Sequence, residues 1–243
     1  LLTDAAAEGL LADSALIAHG RGEAFDYLLG EATCDSALKA IKQAAMVMND
    51  AKKCVISVNG NAVALAAADL IRCAAVLQCP IEINIYYRTP ERMKALNSKL
   101  EKIKEKVMLS EPPKGWQGDW NAAVTSVPIL GSEPNGRIPN LEGPRANCCK
   151  EGIIEADVIF VPLEDGDRCE ALMAMGKSVI VVDLNPLSRT AKMATITIVD
   201  ELMRMAPLLL SYLIKPNKSK TDIEWDNQNA LDSALREMLS QFE

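Results

Sequence analysis

Short apolar runs alternate with helical patterns along most of the chain, and this alternation limits the fold more than any other feature. The runs at 54–58, 81–86, 157–162, 178–182 and 195–199 are rich in β-branched residues and have the length of buried strands. Strands that alternate with helices form a parallel sheet that helices cover on both faces. The sequence therefore predicts an α/β fold with a mostly parallel sheet and helices on both faces.

The residues that follow the run at 178–182 have the composition of a nucleotide site. Asp183, Leu184 and Asn185 come directly after the strand, and Arg189 and Thr190 follow a proline turn. Open parallel sheets bind ligands at the carboxyl ends of their strands. There, the acid and the amide can bind ribose or base, and the arginine and threonine at a helix start can face phosphate. The stretch contains no glycine, so neither a dinucleotide fingerprint nor a P-loop explains it.

A second cluster is His19-Gly20-Arg21-Gly22, which follows a short apolar run at 15–18. We expect it to form a turn, because two glycines permit close backbone approach. Arg21 can then meet a phosphate together with backbone amides, so we expect it to bind ligand. His19 is the only histidine, and it either ends a buried strand or takes part in ligand binding or proton transfer. Since no G-x-S-x-G string exists, hydrolysis by a triad is disfavoured.

Two further strand ends carry polar side chains. Glu164 and Asp165 follow the run at 157–162, and they can hold Mg²⁺ beside substrate phosphates or form a solvated acidic turn. Asn59 and Asn61 follow the run at 54–58. They can donate amide hydrogens to substrate oxygens, although Asn-Gly-Asn is also ordinary turn chemistry.

Capping residues predict where the helices begin. Asn61 is a natural N-cap for a helix over 62–77, and Thr89 with Pro90 starts the helix after the second strand. Asp167 and Glu170 have capping-box spacing for a helix over 168–175.

The chain divides into a large nucleotide-binding catalytic domain, residues 1–214, and an appendage, residues 215–243. Within the domain, the irregular loop at about 109–150 is rich in Pro, Gly, Asn and Trp and has the length of a lid, binding loop or partner surface. The appendage is a polar linker and an amphipathic helix that packs on the domain or on a second subunit. The apolar residues of that helix are Leu231, Leu235, Met238, Leu239 and Phe242.

Composition excludes several classes of protein. The net charge of -7 and the pI near 5.0 argue against nucleic-acid binding, which depends on clustered Lys and Arg. The longest apolar runs have strand length and no signal sequence opens the chain, so we expect no membrane association and a cytoplasmic location. Seven scattered cysteines without C-x-x-C disfavour a zinc site and indicate reduced core thiols.

Six strings in fixed order along nearly the whole chain resemble the archaeal phosphopantothenate synthetase family, that is, 4-phosphopantoate–beta-alanine ligases. They lie at 16–31, 57–61, 87–92, 137–139, 162–168 and 183–191. Strings of this length are far more specific than a single glycine motif.

The resemblance implies an ATP-dependent ligase of coenzyme A biosynthesis on a homodimeric, Rossmann-like fold. The carboxylate of 4-phosphopantoate would attack the α-phosphate of ATP, releasing pyrophosphate, and the amine of β-alanine would displace AMP from the acyl-adenylate. Arg21 and Arg189 are the expected catalytic residues, because preplaced arginines and Mg²⁺ can bring two anions together. The ATP contacts implied by position are Arg21, Asp183, Leu184, Asn185, Arg189, Thr190, Glu201 and Leu202.

The chain departs from the family pattern in three regions. The resemblance implies a further ATP-binding arginine in a segment before residue 1, and the region at 109–126 is longer than the family pattern. The match is loose at 142–149, so the site for the substrate's own phosphate stays open. Its candidates are Arg88, Arg137, Arg145 and Lys150.

Two other functions fit parts of the same sequence. An NAD(P)-dependent oxidoreductase fits the alternation and Asp183 at a strand end, but the glycine fingerprint of such enzymes is missing. A non-catalytic nucleotide sensor would use the long loop and the terminal helix to bind a partner protein.

Overall fold

A computed structural model describes residues 1–215 and 225–241. It contains one six-stranded sheet and one two-stranded ribbon. The six-stranded sheet has the order β3-β2-β1-β6-β7-β8, and all its neighbours are parallel. The strands are β1 Cys54–Val58, β2 Ile81–Ile83, β3 Ile129–Leu130, β4 Gly136–Arg137, β5 Asn147–Cys148, β6 Val158–Pro162, β7 Ser178–Val182 and β8 Ile196–Ile198.

Helices cover both faces of the sheet, as the alternation predicts. The α-helices are α1 Leu2–Ala7, α2 Asp13–Leu28, α3 Asp35–Asp50, α4 Gly60–Leu77, α5 Pro90–Met108, α6 Trp120–Thr125, α7 Gly166–Ala174, α8 Arg189–Met193, α9 Leu202–Ile214 and α10 Asn227–Ser240. A 3₁₀ turn at Pro144–Ala146 and a π-helical turn at Lys150–Ile154 complete the regular structure of the described residues.

The strands are buried on both faces, which explains their continuous apolar sequences. In β1, Ile56 packs into the larger core while Val55 packs into the smaller one. In β6, Phe160 packs into the larger core and Ile159 into the smaller one. Because successive side chains of a strand point to opposite faces, β1, β6 and β7 each contribute to both cores.

The strand order creates a crevice at one place in the sheet. Without the ribbon strands β4 and β5, the order is the one known from Rossmann folds, in which the chain runs outward from β1 and then restarts beside it at β6. The loops after β1 and β6 therefore leave in opposite directions. Ligands of open α/β sheets bind in the crevice at this switch point.

The cluster around Arg21 lies within a helix, and the predicted turn is wrong. Helix α2 runs without interruption through Gly20 and Gly22. Each glycine costs about 1 kcal/mol relative to alanine in a helix, and the helix-forming residues on either side outweigh this cost. Position 22 faces Leu184, and a Cβ there would lie in ordinary van der Waals contact with its Cδ1, at 3.7 Å.

Two predicted caps are also wrong, each by two residues. Asn59, and not Asn61, caps α4 by accepting from the amide of Ala62. Asp165, and not Asp167, caps α7 by accepting from the amide of Arg168. In both places the helix begins sooner after the preceding strand than the spacing of polar residues suggests.

The irregular region predicted at 109–150 contains short elements that pack on the sheet. Trp120 is buried at the start of α6, and β3 adds an edge strand to the sheet. The two-stranded ribbon of β4 and β5 follows. The region is thus ordered by tertiary contacts of a few apolar residues, which leave no periodic signal.

Helix α10 packs on this chain, against α3, α8 and β8. Leu231, Ala234 and Met238 are its buried residues, while Leu239 is exposed. Phe242 and most of the predicted linker lie outside the described residues.

Helix α4 is long and apolar enough to cross a bilayer, by length and composition alone, with a mean hydropathy of 1.5. However, 56% of it is buried within the protein, where it packs against α5 and α9. The apolar segments are therefore not limited to strand length. A core helix of this size has the same composition as a membrane span.

Candidate functional site

A cleft of about 680 Å³ lies over the carboxyl ends of the parallel strands. Its floor is formed by the residues after β1, β2, β6 and β7, and helix α2 forms one wall. The polar and aromatic residues that line it are Ser14, His19, Arg21, Phe25, Asn59, Asn61, Tyr86, Tyr87, Arg92, Arg145, Glu164, Asp183, Asn185 and Ser188. The cleft therefore spans the switch point and reaches across four neighbouring strands.

The turn after β7 is held in shape by its own side chains. The carboxylate of Asp183 accepts from the amide of Asn185 at 2.9 Å and from the hydroxyl of Ser188. The side chain of Asn185 in turn accepts from the amide of Leu187 at 2.9 Å. Burial raises the pKa of Asp183, although these hydrogen bonds partly offset the shift. The turn is thus a preformed, partly buried acceptor at one end of the cleft.

Arg21 and Asp183 line the same cleft. Arg21 projects from α2, is exposed, and forms no ion pair with any residue in 1–215 or 225–241. Leu184 is buried against the glycine of α2 at position 22. The structure therefore brings the two clusters that the sequence singled out into one site.

The residues after β1 lie at the middle of the cleft. Asn59 caps α4 with its oxygen and donates its amide to the carbonyl of Leu163 at 2.8 Å, which ties the ends of β1 and β6 together. Asn61 is buried and donates to the carbonyl of Ala15 at 3.3 Å. The amide of Asn59 is therefore engaged within the protein, whereas the buried Oδ1 of Asn61 has no hydrogen-bond partner among the described residues. The first turn of α4 presents the positive end of the helix to the cleft.

Glu164, at the end of β6, is the centre of a buried ion-pair network. Its side chain is 0% exposed and pairs with Arg168, which is also 0% exposed, and with Arg145 at 2.8 Å. Arg168 continues the network to the hydroxyl of Ser57 on β1 at 3.0 Å. Two guanidinium groups therefore surround one carboxylate beneath the cleft.

Arg145 extends this network toward β2. It pairs with Asp165 as well as with Glu164, and its Nε donates to Asn84 at 3.3 Å. Burial by itself would raise the pKa of Asp165, but Arg145, the amide of Arg168 and its guanidinium together hold it below its ordinary value. The 3₁₀ turn that carries Arg145 is thereby fixed to the edge of the cleft.

The carboxylates of Glu164 and Asp165 do not fit a metal site in this arrangement. Their oxygens accept hydrogen bonds from arginines or from backbone amides. Within the described parts of the chain, no group of three or more His, Cys, Asp or Glu side chains is arranged to hold a metal ion. A cation placed here would face two guanidinium groups, which repel it.

Arg189 and Thr190 lie beside the cleft and do not line it. Arg189 is 59% exposed and pairs with Asp167, whereas Thr190 is buried and donates to the carbonyl of Glu164 at 3.2 Å. Glu201 caps α9 through the amides of residues 203 and 204, and Leu202 is buried in the larger core.

Two of the predicted substrate residues lie elsewhere. Arg88 donates to the carbonyl of Gly131 near the end of β3, and burial lowers its pKa. Lys150 is exposed at the start of the π-helical turn, where its amide donates to Asn135. Arg137, another candidate, is exposed on β4 and donates to Asn147 and Leu141. Of the four candidates for the substrate's phosphate, Arg145 alone lines the cleft.

Sequence reasoning missed Arg92 and the tyrosine pair Tyr86 and Tyr87 as cleft residues. Both tyrosines are more than half exposed, with ring centroids 5.0 Å apart. A signal existed, because the string at 87–92 belongs to the resemblance. The string contains two arginines, Arg88 and Arg92, and the sequence did not show that Arg92 is the one that lines the cleft.

Residues 36–241 match the family described as phosphopantothenate/pantothenate synthetase. The chain belongs to this family. It is 46% identical to the 4-phosphopantoate–beta-alanine ligase of Thermococcus onnurineus, over 82% of this chain and 69% of that protein. It is 44% identical to the ligase of the same name from Thermococcus kodakarensis, over 94% of this chain and 82% of that protein. The ligase of Methanosarcina mazei is 38% identical, over 95% and 85% of the two chains.

Proposed function

We propose that this protein is an ATP-dependent ligase that condenses 4-phosphopantoate with β-alanine and releases AMP and pyrophosphate. One observation carries the proposal beyond the family. A single cleft joins Arg21 and the turn at 183–185, which fit a nucleotide, with the first turn of α4, which fits a second anion. Two anionic substrates bound in such a cleft would meet at the switch point between β1 and β6.

The proposed reaction has two steps. A carboxylate oxygen of 4-phosphopantoate attacks the α-phosphorus of ATP, the bond to the β-phosphate oxygen breaks, and pyrophosphate leaves. The amine of β-alanine then attacks the acyl carbon, loses a proton to solvent, and AMP leaves with the electron pair of the broken bond. The product is the amide, 4-phosphopantothenate, and neither step of the reaction needs a covalent bond to the protein.

The protein's part is to position and to neutralise charge. Arg21 and the positive end of α4 reduce the repulsion between the carboxylate and the triphosphate, and Asp183 and Asn185 hold the nucleoside. Arg189, Thr190, Glu201 and Leu202 remain proposed ATP contacts. To reach phosphate, Arg189 would leave Asp167, an exchange between exposed groups that costs little.

Mg²⁺ remains part of the proposal through the nucleotide. Mg²⁺ sites commonly use substrate phosphates together with water and few protein groups. Since Glu164 and Asp165 hold arginines, the oxygens of the triphosphate are the better ligands. The protein's contribution would then be the arginines around the metal-nucleotide complex.

The proposal includes a homodimer and a cytoplasmic location. Support for the dimer comes from α2, which carries Leu16, Ile17 and Tyr27 with 39%, 69% and 70% of their surfaces exposed. Exposed apolar patches of this kind mark interaction surfaces. Sedimentation of the purified protein tests the dimer.

The decisive assay measures AMP release with ATP, 4-phosphopantoate and β-alanine, each omitted in turn. We expect AMP only when all three are present, together with one pyrophosphate and one 4-phosphopantothenate for each AMP. AMP that forms equally without β-alanine would leave adenylation but remove ligation. No AMP under any condition, with ATP still bound, would favour a nucleotide sensor.

A further inference from the structure

Arg92 lies in the first turn of α5 and borders the cleft on the side of β2. Its Nη1 donates to the carbonyl of Tyr87 at 2.6 Å, and its Nη2 donates to the carbonyl of Leu10 at 3.1 Å. These carbonyls belong to the segment after β2 and to the segment between α1 and α2. The guanidinium is therefore fixed by backbone from two parts of the chain that converge at the cleft.

The positive charge of Arg92 has no partner of opposite sign. Across residues 1–215 and 225–241, no carboxylate lies within ion-pair distance of its guanidinium. Burial lowers its pKa, and no neighbouring charge offsets this shift. Two of its five N–H donors are used by the carbonyls, and Nε is buried without any partner. An anion in the cleft would balance the charge and could accept from the N–H groups of Nη1 and Nη2 that the carbonyls leave free.

The other guanidinium groups of the cleft differ from Arg92 in charge balance or in position. Arg145 faces two carboxylates, Glu164 and Asp165, so its charge is already neutralised. Arg21 lies on α2 next to Gly22, which packs against Leu184 of the turn at 183–185. Among the arginines that line the cleft in the described residues, Arg92 is thus the one near β2 without a carboxylate partner, in the half of the cleft away from the proposed nucleotide.

The spacing of the strands gives the distance between the half of the cleft near β2 and the half near β7. Neighbouring strands lie about 4.8 Å apart, so the end of β2 is about 10 Å from the end of β6 and about 14 Å from the end of β7. If the acyl carboxylate meets the α-phosphate near the switch point between β1 and β6, the far end of an extended acid points toward β2. In 4-phosphopantoate that far end is the phosphate.

We propose that Arg92 binds the phosphate of 4-phosphopantoate and makes the cleft selective for the phosphorylated acid over pantoate. The proposal rests on the proposed ligase function and adds a residue and a specificity to it. Arginine suits this role because its planar fork matches phosphate geometry and stays charged. Tyr86 and Tyr87 line the same edge of the cleft and carry hydroxyl groups there.

The test compares Arg92→Met and Arg92→Lys with wild-type protein in the AMP-release assay. Arg92→Met should raise the KM for 4-phosphopantoate about 10- to 100-fold, the usual loss for a hydrogen-bonded charge pair. The KM values for ATP and β-alanine should stay within about twofold, and Arg92→Lys should recover part of the loss because it keeps the charge. Arg236→Met, on the exposed side of α10, is the control and should leave all three constants unchanged.

Selectivity separates a binding role from a structural one. If Arg92 binds the phosphate, the ratio of kcat/KM for 4-phosphopantoate to that for pantoate falls in Arg92→Met. The substitution then removes a contact that only the phosphorylated acid makes. If Arg92 only braces Leu10 and Tyr87, activity with both acids and binding of ATP fall together, and the proposal is overturned. If Arg92→Met does not fold, Arg92→Lys decides the question by the same split between constants.

Failure of the proposed function would look different. In that case the wild-type protein itself would make no AMP from 4-phosphopantoate and β-alanine. An active wild type with an unchanged KM for 4-phosphopantoate in both Arg92 variants would overturn the role of Arg92 and leave the ligase intact.

Discussion

Replacing Glu164 by Gln should reduce stability far more than any loss of a surface ion pair. The Glu164 and Arg168 side chains are fully buried and that of Arg145 is only 11% exposed, so water cannot replace the lost carboxylate. Gln keeps the volume but turns its NH₂ group toward one of two guanidinium donors. Breaking a buried pair by removing one partner costs about 3–5 kcal/mol, and we expect Glu164→Gln to fall in that range.

Urea unfolding, followed by far-UV circular dichroism, measures this loss directly. The control is Asp167→Asn, which removes the partner of Arg189 from a pair whose side chains are 70% and 59% exposed. Exposed pairs contribute about 0–1 kcal/mol, so this control should unfold at nearly the wild-type urea concentration. Similar small losses in both variants would refute the idea that the network holds the strand ends together.

A double-mutant cycle tests the cause of the effect. Glu164→Gln with Arg168→Met removes both charges of the most buried pair. If the uncompensated guanidinium causes the loss, the double variant should be more stable than the sum of the single losses predicts, because the coupling of contacting charges is not additive. Strict additivity would instead point to lost packing.

Three further outcomes follow from the same geometry. Gly60→Ala should destabilise the protein by about 1–3 kcal/mol in urea unfolding, because a Cβ would overlap the carbonyl oxygen of Leu10 and approach a methyl of Leu11 to 3.0 Å; a neutral effect would mean that the N-terminal segment yields freely. In Asp165→Asn, the free energy of unfolding should fall less steeply with acidification than in wild type. The folded-state pKa of Asp165 lies below its unfolded value of about 3.9, so its contribution to stability is present above that value and is lost as the pH falls through the folded pKa. An acid-unfolding profile identical to wild type would contradict this assignment. Arg21→Ala should raise the Kd for ATP about tenfold in calorimetry, since it removes one charge-assisted contact, whereas unchanged affinity would remove Arg21 from the nucleotide site.

The sequence predicted the sheet well because its strands are buried on both faces. β1 and β7 have the predicted bounds, and both consist of apolar residues, most of them β-branched, that no helix pattern matches. The position of the turn at 183–185 followed from the same regularity. A polar string directly after a buried parallel strand must lie at the carboxyl edge, and the residues at 183–185 line the cleft as expected.

The errors occurred where tertiary contacts decide local structure. Gly20 and Gly22 predict a turn by themselves, yet α2 continues through them and packs at Gly22 against Leu184. In the sequence Asp165 has no evident partner. In the structure its oxygens cap α7 and accept from Arg145, which is 20 residues away in sequence. The long separation of these partners explains why spacing rules did not identify them.

Arg92 shows most clearly that the sequence alone does not predict which way a side chain at a site points. The sequence indicated its neighbour Arg88 as a phosphate candidate and did not indicate Arg92, yet Arg88 turns toward Gly131 while Arg92 turns toward Leu10 and lines the cleft. The carbonyl of Leu10 lies so close to Gly60 that any side chain there would displace it. A glycine at the start of α4 therefore sets where the carbonyl sits, and the carbonyl sets where the guanidinium points. On this reasoning Gly60→Ala, if it folds, should also raise the KM for 4-phosphopantoate, although residue 60 offers the substrate no side chain.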